Sequence, residues 1–91
     1  MLPIYWRESA LEDLATITAF IAARNEAAAV VLAEQIEIAV TAAAANPYLY
    51  RAGRIPGTRE LVAHPNYIVV YQVTERLDVL NVLHARQNYP R

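Results

Sequence analysis

Residues 59–84 read RELVAHPNYIVVYQVTERLDVLNVLH, and this stretch decides the fold. From Tyr67 to Thr74 the pattern has a period of two. Tyr67, Val69, Tyr71 and Val73 project to one side of a strand, and Ile68, Val70, Gln72 and Thr74 to the other. Its β-branched and aromatic content suits a pleated, half-buried surface. Pro65-Asn66 makes a turn before it and Thr74-Glu75-Arg76 another after it. The flanking runs, Arg59 to Ala63 and Leu77 to His84, are then strands as well. Connections this short join antiparallel neighbours, so the three strands form a meander.

Working towards the N-terminus, Asn46-Pro47 stops a helix that runs from Glu26 to about Ala45, with Asn25 as its cap. Ser9 opens an earlier helix, and Glu12 three residues on completes a capping box. That first helix ends near Arg24. Leu11, Leu14, Ile17 and Ile21 share one stripe on it about 120° wide. Ile4-Tyr5-Trp6 before it is a short strand. The order is strand, helical hairpin, three-stranded antiparallel meander: a single α+β domain over residues 1–91, with one sheet and two helices packed on one face. Residues 51–57, RAGRIPG, form a turn-rich connection that holds both glycines.

The second helix is too apolar for one buried face. Val31, Leu32, Ala33, Ile36, Ile38, Ala39 and Val40 spread over roughly 220°, about twice the usual stripe. Either alanine inflates the arc, or an element outside this chain covers part of it.

Composition removes whole classes of function. The 91 residues are 56% apolar and 19% charged, which belongs to a packed globule. There is no cysteine, so disulfides, thiolate metal ligands and a cysteine nucleophile are excluded. With only His64 and His84, no metal site is expected and no cofactor is implied. Glu, Gln or Arg interrupts each apolar run short of the roughly 18–20 residues of a membrane span. No signal peptide is visible, so the cytoplasm is the expected compartment and no membrane partner is expected.

Charge divides by halves. Residues 1–45 carry Arg7 and Arg24 against six acids, a net of −4, and residues 46–91 carry six arginines against three acids, a net of +3. Every cation is Arg, and Lys is absent. GC-rich coding, which the 17 alanines also suggest, explains that choice, as does the planar fork that Arg offers to phosphate and carboxylate.

Neither GxGxxG nor a P-loop nor GxSxG is present, and the only serine is Ser9. What remains is a polar set at the sheet ends: Arg54, Arg59, Glu60, His64, His84, Arg86, Gln87, Asn88 and Tyr89. If the last strand lay beside the first or second, Arg59 would come near Arg86. Two Arg, a His and a Tyr converging would suit cleavage of an RNA backbone, with a base, charge stabilisers and a stacking ring. The same set suits docking on a nucleic-acid machine, and ordinary solvated strand ends would show it too.

Four segments resemble the RelE/ParE toxin superfamily. Gly53-Arg54 followed by Gly57-Thr58-Arg59-Glu60-Leu61-Val62 is similar to its GR…GTREL segment, and Tyr67 to Val73 to its YxxxYxV strand. Val79 to Pro90, with Leu83-His84-Ala85-Arg86, resembles its closing segment, and Trp6…Ala10-Leu11-Glu12-Asp13-Leu14…Ile17…Ile21 its first helix. The resemblance spans the chain and implies the fold read above. It implies the toxin of a type II toxin–antitoxin pair, in a hetero-oligomer with a cognate antitoxin. RelE-like members cut mRNA on the ribosome and ParE-like members poison DNA gyrase. By position Arg59 and Arg86 match the basic residues of RelE-like enzymes and Tyr89 their tyrosine, and with His84 these are the catalytic candidates if the chain is RelE-like. Its lysines have no counterpart here, which favours the ParE-like alternative. For target or antitoxin binding the candidates are Arg54, Phe20, Val31 and Ile38.

Overall fold

The computed structural model describes residues 1–90. Its elements are β1 (Ile4–Trp6), α1 (Glu8–Ala22), α2 (Glu26–Ala45), β2 (Arg51–Ala52), β3 (Arg59–His64), β4 (Tyr67–Val73) and β5 (Leu77–His84). The sheet runs in the order β1-β5-β4-β3-β2. β4 pairs antiparallel on both sides, opposing Glu60 to Val70 and Leu61 to Val69 on β3, and Val69 to Val82 on β5. β1 lies parallel to β5, from Ile4 opposite Leu77 to Trp6 opposite Val79. A parallel pair needs a long crossover, which the helical hairpin and the intervening strands supply.

The helix-facing side of the sheet carries Leu61, Val69, Tyr71, Leu77, Val79 and Val82. Leu32, Ile36, Val40, Ala43 and Ala44 of α2 and Ala10 of α1 close over them. Burying these side chains contributes roughly 1.5–3 kcal/mol for each large one. The other sheet face has no helix, yet Ile68, Val70 and Leu83 are buried there. The segment after β5 turns back along it: Tyr89 Oη donates to Asn81 Oδ1 at 3.1 Å, and Arg54 Nη1 donates to the Gln87 carbonyl at 3.3 Å.

The bounds of α2 match the sequence reading. Asn25 Oδ1 accepts the Ala28 N–H at 3.0 Å. By length and composition α2 could cross a membrane, which corrects the reading that no segment could. It also carries Glu34 and Glu37, and it lays Leu32, Ile36 and Val40 on the sheet as a core helix.

At α1 the sequence reading needs correction. Arg7, not Ser9, is the N-cap residue, and no side chain caps that end. Ser9 Oγ instead donates to the Leu80 carbonyl at 2.6 Å. The β4–β5 register shifts between Val70 and Tyr71, leaving Leu80 as the extra residue whose carbonyl Ser9 takes. The helix ends at Ala22, two residues before Arg24. Its stripe is rotated as well: Ala10 is fully buried and Leu11 is 51% exposed. Small Ala10 lets the start of α1 lie close along β5, where the Arg7 N–H also donates to the Val79 carbonyl at 3.0 Å.

The turn-rich connection hides a strand that the sequence reading lacks. β2 pairs Arg51 with Glu60 and Ala52 with Arg59, and the Gly53 N–H donates to the Thr58 carbonyl at 2.8 Å. A Cβ at Gly53 would collide with Thr58 Oγ1, and Gly57 holds φ +83°, which side chains rarely adopt. Both glycines are therefore required by this turn.

Candidate functional site

The polar residues at the sheet ends fall into separate places. In a meander β3 and β5 run in the same direction, so the first residue of one and the last of the other lie at opposite ends. Arg59 opens β3 opposite Tyr71, whereas His84 closes β5 opposite Tyr67. Four strand residues, roughly 13 Å, separate the two along β4. The convergence of Arg59 with His84 and Arg86 is not formed.

At the far end, His64 and His84 flank Tyr67, with ring centroids 5.7 and 5.5 Å from it. Each imidazole accepts a backbone N–H at Nδ1, from Asn66 at 3.0 Å and from Arg86 at 3.1 Å. When neutral, each ring therefore carries its proton on Nε2. The Arg86 side chain is exposed and makes no hydrogen bond or ion pair with the described residues. Tyr89 lies elsewhere on the tail, bonded to Asn81, whose Nδ2 donates to Asp13 Oδ2 at 3.0 Å. The Val82 N–H donates to the same oxygen at 3.0 Å, so Asp13 satisfies a strand-edge amide. Sequence patterning gave Asp13 no such role.

Glu60 and Arg59 take opposite faces of β3, as strand alternation requires. Glu60 is buried and is held by Arg51 Nη2 and Arg54 Nε, each at 3.3 Å, and by the Arg54 N–H at 2.9 Å. With Gln87 as a further partner, Arg54 is occupied within the chain and ties the β2–β3 turn to the tail.

Arg59 is half-buried on the helix side. Its Nη1 donates to the carbonyls of Tyr50 at 2.8 Å and Tyr48 at 3.4 Å, and its guanidinium lies 5.1 Å from the Tyr48 ring centre. With Tyr48, Ala52, Gly57, Thr58 and Val73 it lines a cleft of about 300 Å³. Tyr71 Oη donates to the Pro47 carbonyl at 2.7 Å, which pins the start of this turn. Burial pushes the Tyr71 hydroxyl above its ordinary pKa, against the pull of the Arg59 charge. Tyr48 escaped the sequence reading; the helix stop at Asn46-Pro47 just before it was the available signal.

The helical hairpin leaves several large apolar side chains bare. Ile38 is 69% exposed, and Val30, Val31 and Phe20 are exposed too. Arg24 lies over the Phe20 ring at 4.7 Å. Val31 lines a groove of about 580 Å³ with Ile21, Ala28, Leu32, His64 and Tyr67. The wide arc of α2 is thus divided, with Leu32, Ile36 and Val40 covered by the sheet and Val30, Val31 and Ile38 left open. No three His, Asp or Glu come together to hold a metal among the described residues.

The sequence matches the family model described as "ParE toxin of type II toxin-antitoxin system, parDE" over residues 4–89. It is 39% identical over 89 residues to a candidate toxin of Sinorhizobium fredii, Y4kP, covering 97% of this chain and 93% of that protein. Among solved structures, a chain of the chromosomal ParDE TA system from P. aeruginosa aligns with a TM-score of 0.79 at 20% identity, over 92% of this chain and 96% of that one. At that identity the structural likeness speaks for the fold.

Proposed function

This chain belongs to the ParE toxin family of type II toxin–antitoxin systems, and from that premise we propose that it inhibits DNA gyrase and is neutralised by an antitoxin encoded beside it. The inhibition works by binding, without a chemical step. The observation that carries this reading is the separation of Arg59 from His84, Arg86 and Tyr89. An RNA-cleaving site needs its base and its charge stabilisers on the same few atoms. Here they stand at different ends and faces of the sheet, and the Arg59 guanidinium is occupied by two carbonyls. Neutralisation is supported by the bare apolar side chains of the hairpin. Large apolar side chains left exposed on a small domain mark an interaction surface; Val31 and Ile38, seven residues apart, share one side of α2, and Phe20 is exposed on α1. The antitoxin covers them with an amphipathic segment, as one component of a hetero-oligomer in the cytoplasm.

One observation favours ribosome-dependent mRNA cleavage instead: the exposed Arg86, whose side chain has no partner among the described residues, lies two residues after His84 and donates its backbone N–H to that ring. Inducing the chain without its partner separates the two. Filamentation and a DNA-damage response while translation continues support gyrase as the target. Immediate arrest of translation, with messages cut in the ribosomal A site, overturns that choice.

A further inference from the structure

The arginines of the sheet region are not equally satisfied. Arg51 and Arg54 share Glu60, and Arg76 pairs with Asp78 at 2.8 Å. Arg59 is less exposed than any of these and faces no carboxylate among the described residues. Its anchors are neutral carbonyls, both on Nη1, so Nε and Nη2 remain without partners there. A half-buried cation without a counter-charge is costly unless something supplies one. Its anchoring also fixes the fork in one orientation at the wall of the cleft.

From these observations we propose that the Arg59 cleft seats one carboxylate of the antitoxin, an Asp or Glu side chain inserted between Tyr48 and the β2–β3 turn. The inference rests on the toxin–antitoxin reading above and goes beyond it by naming the contact. One guanidinium edge matches the two oxygens of a carboxylate, with one charge against one. A nucleic-acid backbone is a poorer fit. Phosphate sites gather several cations, and the nearest others, Arg51 and Arg54, are turned to the opposite face by Glu60. The rest of the cleft lining includes Ala52, Val73 and Tyr48, whose apolar surfaces suit the methylene stem of an acidic side chain. Arg54, on the opposite face, is itself occupied by Glu60 and Gln87, so Arg59 is the recipient the cleft offers.

The test uses the co-purified complex. Dissociation is measured by exchange of labelled antitoxin into wild-type, Arg59→Lys, Arg59→Gln and Arg7→Gln complexes, the last removing a charge at an exposed site elsewhere. Each antitoxin Asp and Glu is changed to its amide in turn, alone and combined with Arg59→Lys. Exchange should accelerate about 10–100-fold for both Arg59 variants and stay within about twofold for Arg7→Gln. One antitoxin carboxylate should couple to Arg59 at least about tenfold in the double-mutant cycle. Should the Arg59 variants fail to fold, that carboxylate's amide variant must still accelerate exchange from the wild-type toxin. Coupling within about twofold for every carboxylate overturns this inference alone. So does loss of single-stranded oligonucleotide binding on Arg59→Gln without any such coupling. An antitoxin that never binds the wild-type toxin overturns the toxin–antitoxin reading with it.

Discussion

Replacing Tyr71 with Phe tests how the helix end, the turn after it and Arg59 are held together. The ring is fully buried, so the substitution keeps the apolar packing and removes one hydroxyl. That hydroxyl donates to the Pro47 carbonyl at 2.7 Å. A neutral hydrogen bond contributes a net of about 0.5–1.5 kcal/mol, so the variant should be less stable by about 1 kcal/mol at pH 7. For a chain of this size, that lowers Tm by about 4–8 °C. The pH dependence has a definite sign. Burial raises the Tyr71 pKa in the folded state, so the folded chain holds this proton more tightly than the unfolded chain does. Its contribution is fully present below the unfolded value, about 10, and is lost as pH rises through the folded value. The gap between wild type and Tyr71→Phe should therefore narrow above pH 10, and the variant should show the shallower alkaline decline. Urea unfolding followed by the fluorescence of Trp6, the only tryptophan and one packed against the core, measures both quantities. A gap below about 0.3 kcal/mol at pH 7, or one unchanged between pH 8 and 11, would refute the reasoning.

Three further outcomes follow from the packing. Ile36→Ala, which empties a fully buried position between α2 and the sheet, should cost about 2–5 kcal/mol and leave little folded toxin in urea titrations. Asn25→Ala removes the cap of α2 and should cost about 1 kcal/mol by the same assay, with helix content otherwise retained. Val31→Asp and Ile38→Asp, on the bare side of α2, should change stability by less than about 0.5 kcal/mol. They should nevertheless weaken antitoxin binding about tenfold or more, as read by calorimetry; unchanged affinity would place the antitoxin elsewhere.

The legible parts of the fold were those written in local pattern. β4 and β5 announced themselves by alternation between turns, and α2 by Asn25 before it and Asn46-Pro47 after it. β2 was not legible because its two residues owe their pairing to Gly53 and Thr58 closing a turn, not to any alternation of their own. Ser9 looked like a cap because local spacing cannot reveal that a bulge in β5, some seventy residues on, leaves the Leu80 carbonyl open. Of the candidate site, the separation of Arg59 from His84 was available in principle, since a meander makes β3 and β5 co-directional. The pairing of each arginine was not. Which of Arg54 and Arg59 is met by a carboxylate depends on Glu60 facing away from one and towards the other, and on where the tail lies. The exposure of Val31 and Ile38 follows from the width of the α2 arc, which exceeds what one sheet face can cover.

The proposal that this ParE-family chain acts on gyrase by binding, and cleaves no message, is open to one direct comparison. Purified toxin should be added, in one buffer and at one concentration series, to a gyrase supercoiling reaction and to ribosomes holding a defined message. Supercoiling should fall with toxin concentration, the message should stay intact, and added antitoxin should restore supercoiling. Message cut at the ribosomal A site, with supercoiling untouched, would contradict it.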